Sequence, residues 1–399
     1  MRRLTVLLAA LLGFAALRAA TPEEVNRLAG IDLFGGTELW KESPQAVVKR
    51  LGIKCRAEKS GSEEMFSARV NREIFECPAS EIRLAAADGK VTKLDIILFN
   101  KGDNAGKGSK RNAVKKELRR YQIKLEKLLR TKIGRPRRAF FGAGTLSKQL
   151  PAWDCGPHVL MVDYSESEYL QIHIVPEKAA GEHRARVSSE ARAESADFYS
   201  GNVRRKDNGD VFIEGVPMVD QGSKGYCVPA TVERVLRYFG VADADMHKLA
   251  EKSHTGLGGG TTLEGVVRGT RKLLADYGLR MRDAGKFRRP SICRYIDHGL
   301  PVLWFHYSTP AFKERLDESL AERSKSAPGE WKKHLEGERK IRRAAEGAHI
   351  ALLIGYNKET DEFAVSNSWG ERYRIAWVRF ADMEQADAKL NIFVVVPRK

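Results

Sequence analysis

Cys227 is the residue of this chain best placed for nucleophilic chemistry. It follows the turn-forming run Gln221-Gly222-Ser223-Lys224-Gly225-Tyr226 and opens a segment with Val232, Val235, Leu236 and Phe239 on one helical face. A thiol attacks a carbonyl as the thiolate, and an ordinary cysteine is mostly protonated near neutral pH. A helix N-terminus and a neighbouring imidazole both favour the thiolate, and position supplies the first of these to Cys227. Pro229 suits the first helical turn, where its missing N–H costs nothing. The tetrahedral intermediate then needs donors aimed at its oxyanion. Gln221, on the glycine-rich turn, can set its amide beside the Cys227 N–H. His349 lies in an apolar run and Asn367 precedes Ser368-Trp369-Gly370, at 122 and 140 residues after the thiol. Singly they read as a helix-start thiol, a core histidine and a turn asparagine. Jointly those readings give way to the roles that a family resemblance implies for the three residues.

Gln221 to Cys227 resembles the papain-family segment that carries the oxyanion glutamine and the nucleophile, with the same spacing. Ala348-His349-Ile350-Ala351-Leu352-Leu353-Ile354-Gly355-Tyr356 resembles the family's histidine strand, and Asn367-Ser368-Trp369-Gly370 its Asn-Ser-Trp-Gly segment. The Cys-to-His and Cys-to-Asn separations approach the roughly 130 to 150 residues of the papain and cathepsin signature. The resemblance covers about residues 206–399. It implies an α+β, papain-like catalytic domain with a helical half and an antiparallel β half. Cys227 would be the nucleophile, His349 the general base and then acid, Asn367 the orienter of the imidazole, and Gln221 an oxyanion donor. Trp369 would shield the Asn–His contact. Gly258, Gly259 and Gly260 would bind substrate backbone, although a flexible loop before a helix accounts for them equally well. Lys224 stands where many members have a disulfide-forming cysteine, and Val228 where many have an aromatic residue. These departures point to the divergent bacterial, C39-like relatives.

The elements that must position these groups follow from periodicity. Strands are expected at 300–306, 349–355, 362–366, 376–380 and 392–396, with a helix capped by Thr261 or Thr262 running to about Tyr277. The charged stretch from Phe312 to Ala345 reads as a helical insertion broken near Pro328-Gly329, either a lid or a solvated surface pair. A separate α+β domain is expected over residues 21–176. Its helix after Ser43-Pro44, strands at 65–70, 81–86 and 91–99, and a hairpin of 158–163 with 169–175 are legible. A helix over 113–129 carries Val114, Leu118, Tyr121, Leu125 and Leu128. His158 and His173 alternate with apolar neighbours and read as structural. Residues 177–205 are polar and alanine-rich, and read as a linker open to proteases. Residues 206–399 are expected to form the peptidase domain that the resemblance implies.

The 399 residues suggest two or three domains, and 42% hydrophobic with 30% charged residues suits a globular protein. Arg2 and Arg3 precede an uncharged run from Leu4 to Leu17, followed by small residues to Ala20, which is the layout of a signal peptide over residues 1–20. The run is short for a membrane span, so no stable insertion is expected after its removal. An extracytoplasmic location, secreted or periplasmic, follows. The net charge of +17 would draw polyanions. Outside the cytoplasm the candidates are acidic surface polymers or anionic lipid headgroups, with a merely solvated basic surface the plainer alternative, and no nucleic-acid partner is expected. Of the five cysteines, Cys55, Cys77, Cys155 and Cys293 allow three pairings when Cys227 stays free, with Cys55–Cys77 preferred for proximity. His247, His254, His298, His306 and His334 show no ligand spacing, so no metal or other cofactor is expected.

The expected function is an exported cysteine peptidase that cleaves polypeptide through a thioester acyl-enzyme. Alternatives are an amidase or transpeptidase on cell-wall or crosslinked peptide, and a silent papain-fold binding protein, against which the intact Gln, Cys, His and Asn set argues. Residues 21 to about 205 are expected to be either a propeptide that restrains the enzyme or an independent binding domain.

Overall fold

The computed structural model describes residues 20–36, 38–60, 63–104, 110–190, 192–257 and 260–398. The expected signal peptide, Ala20 apart, and Gly258 and Gly259 lie outside them. Helix α1 (Pro22–Ala29) is fixed by a reciprocal cap: Thr21 Oγ1 accepts from Glu24 N at 3.2 Å and Glu24 Oε2 from Thr21 N at 2.9 Å. Helix α2 (Pro44–Leu51) starts on Ser43, as its sequence indicates. Four antiparallel strands follow, β1 (Arg56–Ser60), β2 (Glu63–Ile74), β3 (Cys77–Ala87) and β4 (Lys90–Asn100). The chain then leaves the sheet through α3 (Lys101–Asn104) and α4 (Arg111–Ile133). It returns by β5 (Arg137–Phe141), β6 (Lys148–Cys155), β7 (His158–Tyr164) and β8 (Tyr169–Pro176), giving an eight-stranded sheet ordered β1-β2-β3-β4-β8-β7-β6-β5.

Helix α4 buries Val114, Leu118, Leu125 and Leu129 in the core of this domain and leaves most of its lysines and arginines outward. His158 accepts from Leu39 N at 3.0 Å, and His173 lies between Asp95 at 2.6 Å and Asp163 at 3.3 Å, both structural roles. All five cysteines are free thiols. The Cys55–Cys77 bond preferred from sequence is not formed: Cys77 is sunk in the domain core and Cys55 packs at its margin.

The segment expected as a linker is only partly loose. Residues 182–186 and 188–190 are exposed, but α5 (Ala196–Ser200) buries Tyr199 against Phe239, ring centroids 4.6 Å apart. Strand β9 (Val203–Arg205) already pairs with β10 (Asp210–Ile213).

The C-terminal half sets helices α6 (Cys227–Tyr238), α7 (Met246–Lys252) and α8 (Leu263–Asp276) beside a second antiparallel sheet. Asp245 caps α7 and Thr262 caps α8. Next come β11 (Leu279–Lys286), α9 (Arg289–Asp297), β12 (Val302–Tyr307), α10 (Pro310–Glu322) and α11 (Pro328–Gly337). Strands β13 (Ala348–Asn357), β14 (Glu362–Ser366) and β15 (Ala376–Arg379), helix α12 (Phe380–Ala386) and strand β16 (Asn391–Pro397) complete the chain. The sheet runs β11-β16-β12-β13-β10-β9, with β14 on β13 and β15 on β14. The charged insertion is a helix pair with one buried face, Phe312, Leu316, Trp331 and Leu335, and α10 packs on β15.

The two halves meet through charge. Arg83 reaches Asp245 at 3.0 Å, Lys148 reaches Glu251 at 3.3 Å, and Lys248 reaches Asp163 at 3.5 Å. Lys148 and Glu251 stay partly in solvent, but Arg83, Lys248 and Asp163 are buried; buried ions are tolerated only when paired, so the Arg83–Asp245 and Lys248–Asp163 contacts fix the two halves in one arrangement.

Candidate active site

The candidate residues come from three elements around one point. Cys227 is the first residue of α6, and α6 packs on β13, with Thr231 Oγ1 donating to Ile350 O at 3.5 Å. Strand β14 pairs with β13 as far as Ser366 opposite Leu352. The chain then turns, and Asn367 Oδ1 meets His349 Nε2 at 3.0 Å. An amide oxygen accepts, so His349 carries its proton on Nε2 and presents Nδ1 as the proton acceptor. The Trp369 ring covers His349 at 4.6 Å, and Tyr373 meets Trp369 edge-on at 5.4 Å.

Gln221 is held on two sides by the residue after Asn367. Its backbone N donates to Ser368 O at 2.8 Å, and Ser368 Oγ donates to Gln221 Oε1 at 2.7 Å. With the amide oxygen occupied, the Gln221 NH2 group is the end left for an oxyanion. Below, fully buried Arg234 of α6 donates from Nε to Pro217 O at 2.8 Å and from Nη1 to Ser366 O at 3.0 Å. It ties the nucleophile helix to the strand end that presents Asn367, with charge-assisted bonds offsetting its burial. Sequence reading left Ser368 and Arg234 without roles. Ser368 lies within the quoted Asn-Ser-Trp-Gly run; an arginine on a helix otherwise reads as surface.

The electrostatics differ from expectation in one respect. Burial pushes the Cys227 thiol above its ordinary value, outweighing backbone N–H groups of Ile350, Val228 and Cys227 itself, which favour the thiolate. Burial also pushes His349 down to about 4, against the Asn367 hydrogen bond that raises it. Near neutral pH the thiol and the imidazole are therefore both uncharged. His306 stands opposite His349 across β12 and β13, ring centroids 5.3 Å apart. Trp304 stacks on it at 4.3 Å, and burial, with His349 beside it, holds it well below the usual histidine range. It forms a neutral wall beside the His349 ring.

Of the glycines expected to bind substrate backbone, Gly260 is described: its N donates to Gly225 O at 3.4 Å, beside the nucleophile turn. The insertion brings Glu318, His334 and Glu338 together, the one group among the described residues whose potential metal-ligand atoms lie within 4.8 Å of one another. This corrects the reading that His334 has no ligand spacing, since the partners come from the facing helix and the loop beyond. Glu318 already accepts from His334 at 2.7 Å and from Arg315 at 2.9 Å. Among the described residues no helix is long and apolar enough to cross a membrane.

A half-buried thiol at a helix start, an imidazole on the facing strand and an asparagine holding that imidazole define the papain-like class of α+β folds. Residues 213–389, somewhat less than half of the chain, match the Peptidase_C39 like family, in line with the resemblance to divergent, C39-like members of the papain-like peptidases. Among solved structures, the chain is similar to a C39-like protein from Bacillus anthracis at 15% identity, TM-score 0.33, over 48% of this chain and 98% of the other. It is also similar to xylellain, a cysteine protease from Xylella fastidiosa, at 10% identity, TM-score 0.33, over 53% and 93%. No curated protein matches the chain.

Proposed function

We propose that this chain is an exported cysteine peptidase in which Cys227, His349, Asn367 and Gln221 hydrolyse peptide bonds. The observation that carries this reading is the paired clamp after β14: Asn367 holds His349 at 3.0 Å while the next residue, Ser368, holds Gln221 at 2.7 Å. One turn thus carries the holders of both the proposed base and the proposed oxyanion donor, which supports this reading.

In the first half-reaction His349 Nδ1 takes the Cys227 proton as Sγ bonds to the scissile carbonyl carbon. The Gln221 amide and the Cys227 N–H receive the oxyanion. His349 then protonates the leaving amine, the C–N bond breaks, and a thioester remains. Water loses a proton to His349, adds to the thioester, and releases the new carboxyl group and the thiol. The signal-like residues 1–20 support export, and the exposed basic face of α4 suits acidic surface polymers as a location for the enzyme. The test is to incubate the form lacking residues 1–20 with an unfolded polypeptide and sequence the products. New amino termini are expected; intact substrate at every pH would refute the reading.

The pH profile of kcat/KM is expected to be a broad bell. The pair works with one proton between thiol and imidazole. A second proton binds as pH falls through about 4, the lowered His349 value, and removes the base. The last proton leaves only above the ordinary thiol range, because burial raises Cys227. Both limbs belong to the coupled pair. An acid limb near the ordinary histidine value would contradict the buried, neutral imidazole.

A further inference from the structure

The turn that carries Gln221 and Cys227 is held from outside its own domain. Lys224, three residues before the thiol, has a side chain only 1% exposed, and its Nζ lies 3.4 Å from Glu81 Oε2 and 3.3 Å from Asp103 Oδ2. Both carboxylates belong to the N-terminal domain, Glu81 on β3 and Asp103 on α3. Ser223 Oγ also donates to Asp103 Oδ1 at 3.3 Å. Gly102 N donates to the Tyr226 hydroxyl at 3.2 Å, and that hydroxyl donates to Glu168 Oε2 at 3.0 Å. Lys101 completes the contact by donating to Thr255 O while paired with Glu168.

The approach is close as well as charged. A Cβ added at Gly102 would lie 2.6 Å from Lys224 Cβ and 2.8 Å from Lys224 O, closer than real Cβ contacts come. Gly222, beside Gln221 at φ +58, is covered by the Arg69 guanidinium of β2, which a Cβ there would strike. So Gly222, Ser223, Lys224 and Tyr226 each touch the N-terminal domain. Among the described residues, no hydrogen bond or ion pair joins that domain to Cys227, His349, Asn367 or Trp369. Its grip falls on the supports of the site and not on the reacting groups.

We propose that the N-terminal domain is a built-in activating domain, whose Glu81, Asp103 and Gly102 hold Lys224 and thereby set the Cys227 thiol and the Gln221 amide. This rests on Cys227 being the nucleophile, and it makes Lys224 a positioning residue. The physical reason is that a five-residue glycine-containing turn has many conformations of its own. A buried ammonium between two carboxylates removes them, because leaving either charge unpaired is costly. Small displacements of a nucleophile matter: misplacement by about 1 Å can cost about 10²-fold in rate.

The experiment uses the full chain without residues 1–20 and compares wild type, Gly102→Ala, Lys224→Met and Lys224→Arg. Three quantities are read: kcat and KM on one peptide, the rate at which iodoacetamide alkylates Cys227, and the thermal midpoint. The expected result is a fall of about 10²-fold in kcat for Gly102→Ala and Lys224→Met, with KM little changed and slower alkylation of Cys227. Lys224→Arg, which keeps the charge, should recover part of the loss. Folded variants with wild-type kcat and wild-type alkylation would overturn the proposal. If Lys224→Met and Gly102→Ala fail to fold, the linker decides. A specific protease site placed within residues 182–190 is cut in the otherwise intact protein, and activity is followed. The proposal expects either two fragments that stay together with activity unchanged, or fragments that separate with activity lost. A rise on cutting, or full activity in a separated C-terminal fragment, would overturn it. Wild type serves as the separate control: if it neither cleaves peptide nor reacts at Cys227, the functional reading fails, whatever the variants do.

Discussion

Replacing Cys227 with alanine is expected to abolish peptide cleavage, a fall of about 10⁶-fold in kcat on the scale of losing a catalytic nucleophile, with no loss of stability. The thiol sits at the first position of α6, where alanine is a good helix former, and it is only partly covered. The fold around it rests on groups that the substitution leaves alone: Arg234 bonded to Pro217 and Ser366, and the Lys224 ion pairs. No other cysteine can substitute. Burial holds Cys55, Cys77 and Cys293 at about 11 and Cys155 at about 12, and none of the four belongs to the contacts around His349. Casein digestion and thermal denaturation measured on the same preparation check both halves of the expectation. Residual cleavage near the wild-type rate would remove Cys227 from the mechanism.

Gln221→Ala is expected to lower kcat by about 10²–10³-fold, the usual cost of losing one oxyanion donor, with KM changing far less. The geometry adds a second expectation that a generic donor would not. Ser368 Oγ holds the Gln221 amide oxygen at 2.7 Å, so Ser368→Ala should lower kcat in the same direction by a smaller factor. The double variant should be no worse than Gln221→Ala, because once the amide is gone its holder has nothing to orient. Independent, multiplying losses would show that Ser368 acts elsewhere.

The parts of this site legible from sequence are those with local signatures. A turn, a thiol and an apolar-periodic helix place Cys227. An apolar strand and an Asn-Ser-Trp-Gly run place His349 and Asn367, and strand β14 falls at 362–366, around the short apolar run Phe363-Ala364-Val365. Long helical stripes are nearly as clear. In α4 the buried face ends on Leu129, with Leu128 partly covered, since a period of 3.6 drifts from a strict three-four count. Strands β5 and β6 were not legible. Phe140-Phe141 and Pro151-Ala152-Trp153 sit among arginines and lysines without clean alternation, and pairing with neighbours settles them as strands.

The illegible part of the site is long-range. Nothing near Lys224 indicates partners at Glu81 and Asp103, more than a hundred residues earlier, and a lysine in a turn reads as solvated. Arg234 reads as surface for the same reason. The buried ion network joining the halves is a property of tertiary proximity, and local propensity carries no trace of it.

The claim on which the account depends is that one thiol of five is activated, and labelling tests it most directly. The form lacking residues 1–20 is treated at neutral pH with a peptide that carries a thiol-reactive electrophile, and the label is mapped by peptide mass. The account predicts label on Cys227 alone, lost in a His349→Ala variant that keeps its fold, because only Cys227 has a base to take its proton. Label on Cys55 or Cys293 instead, or labelling of Cys227 that persists unchanged without His349, would contradict it.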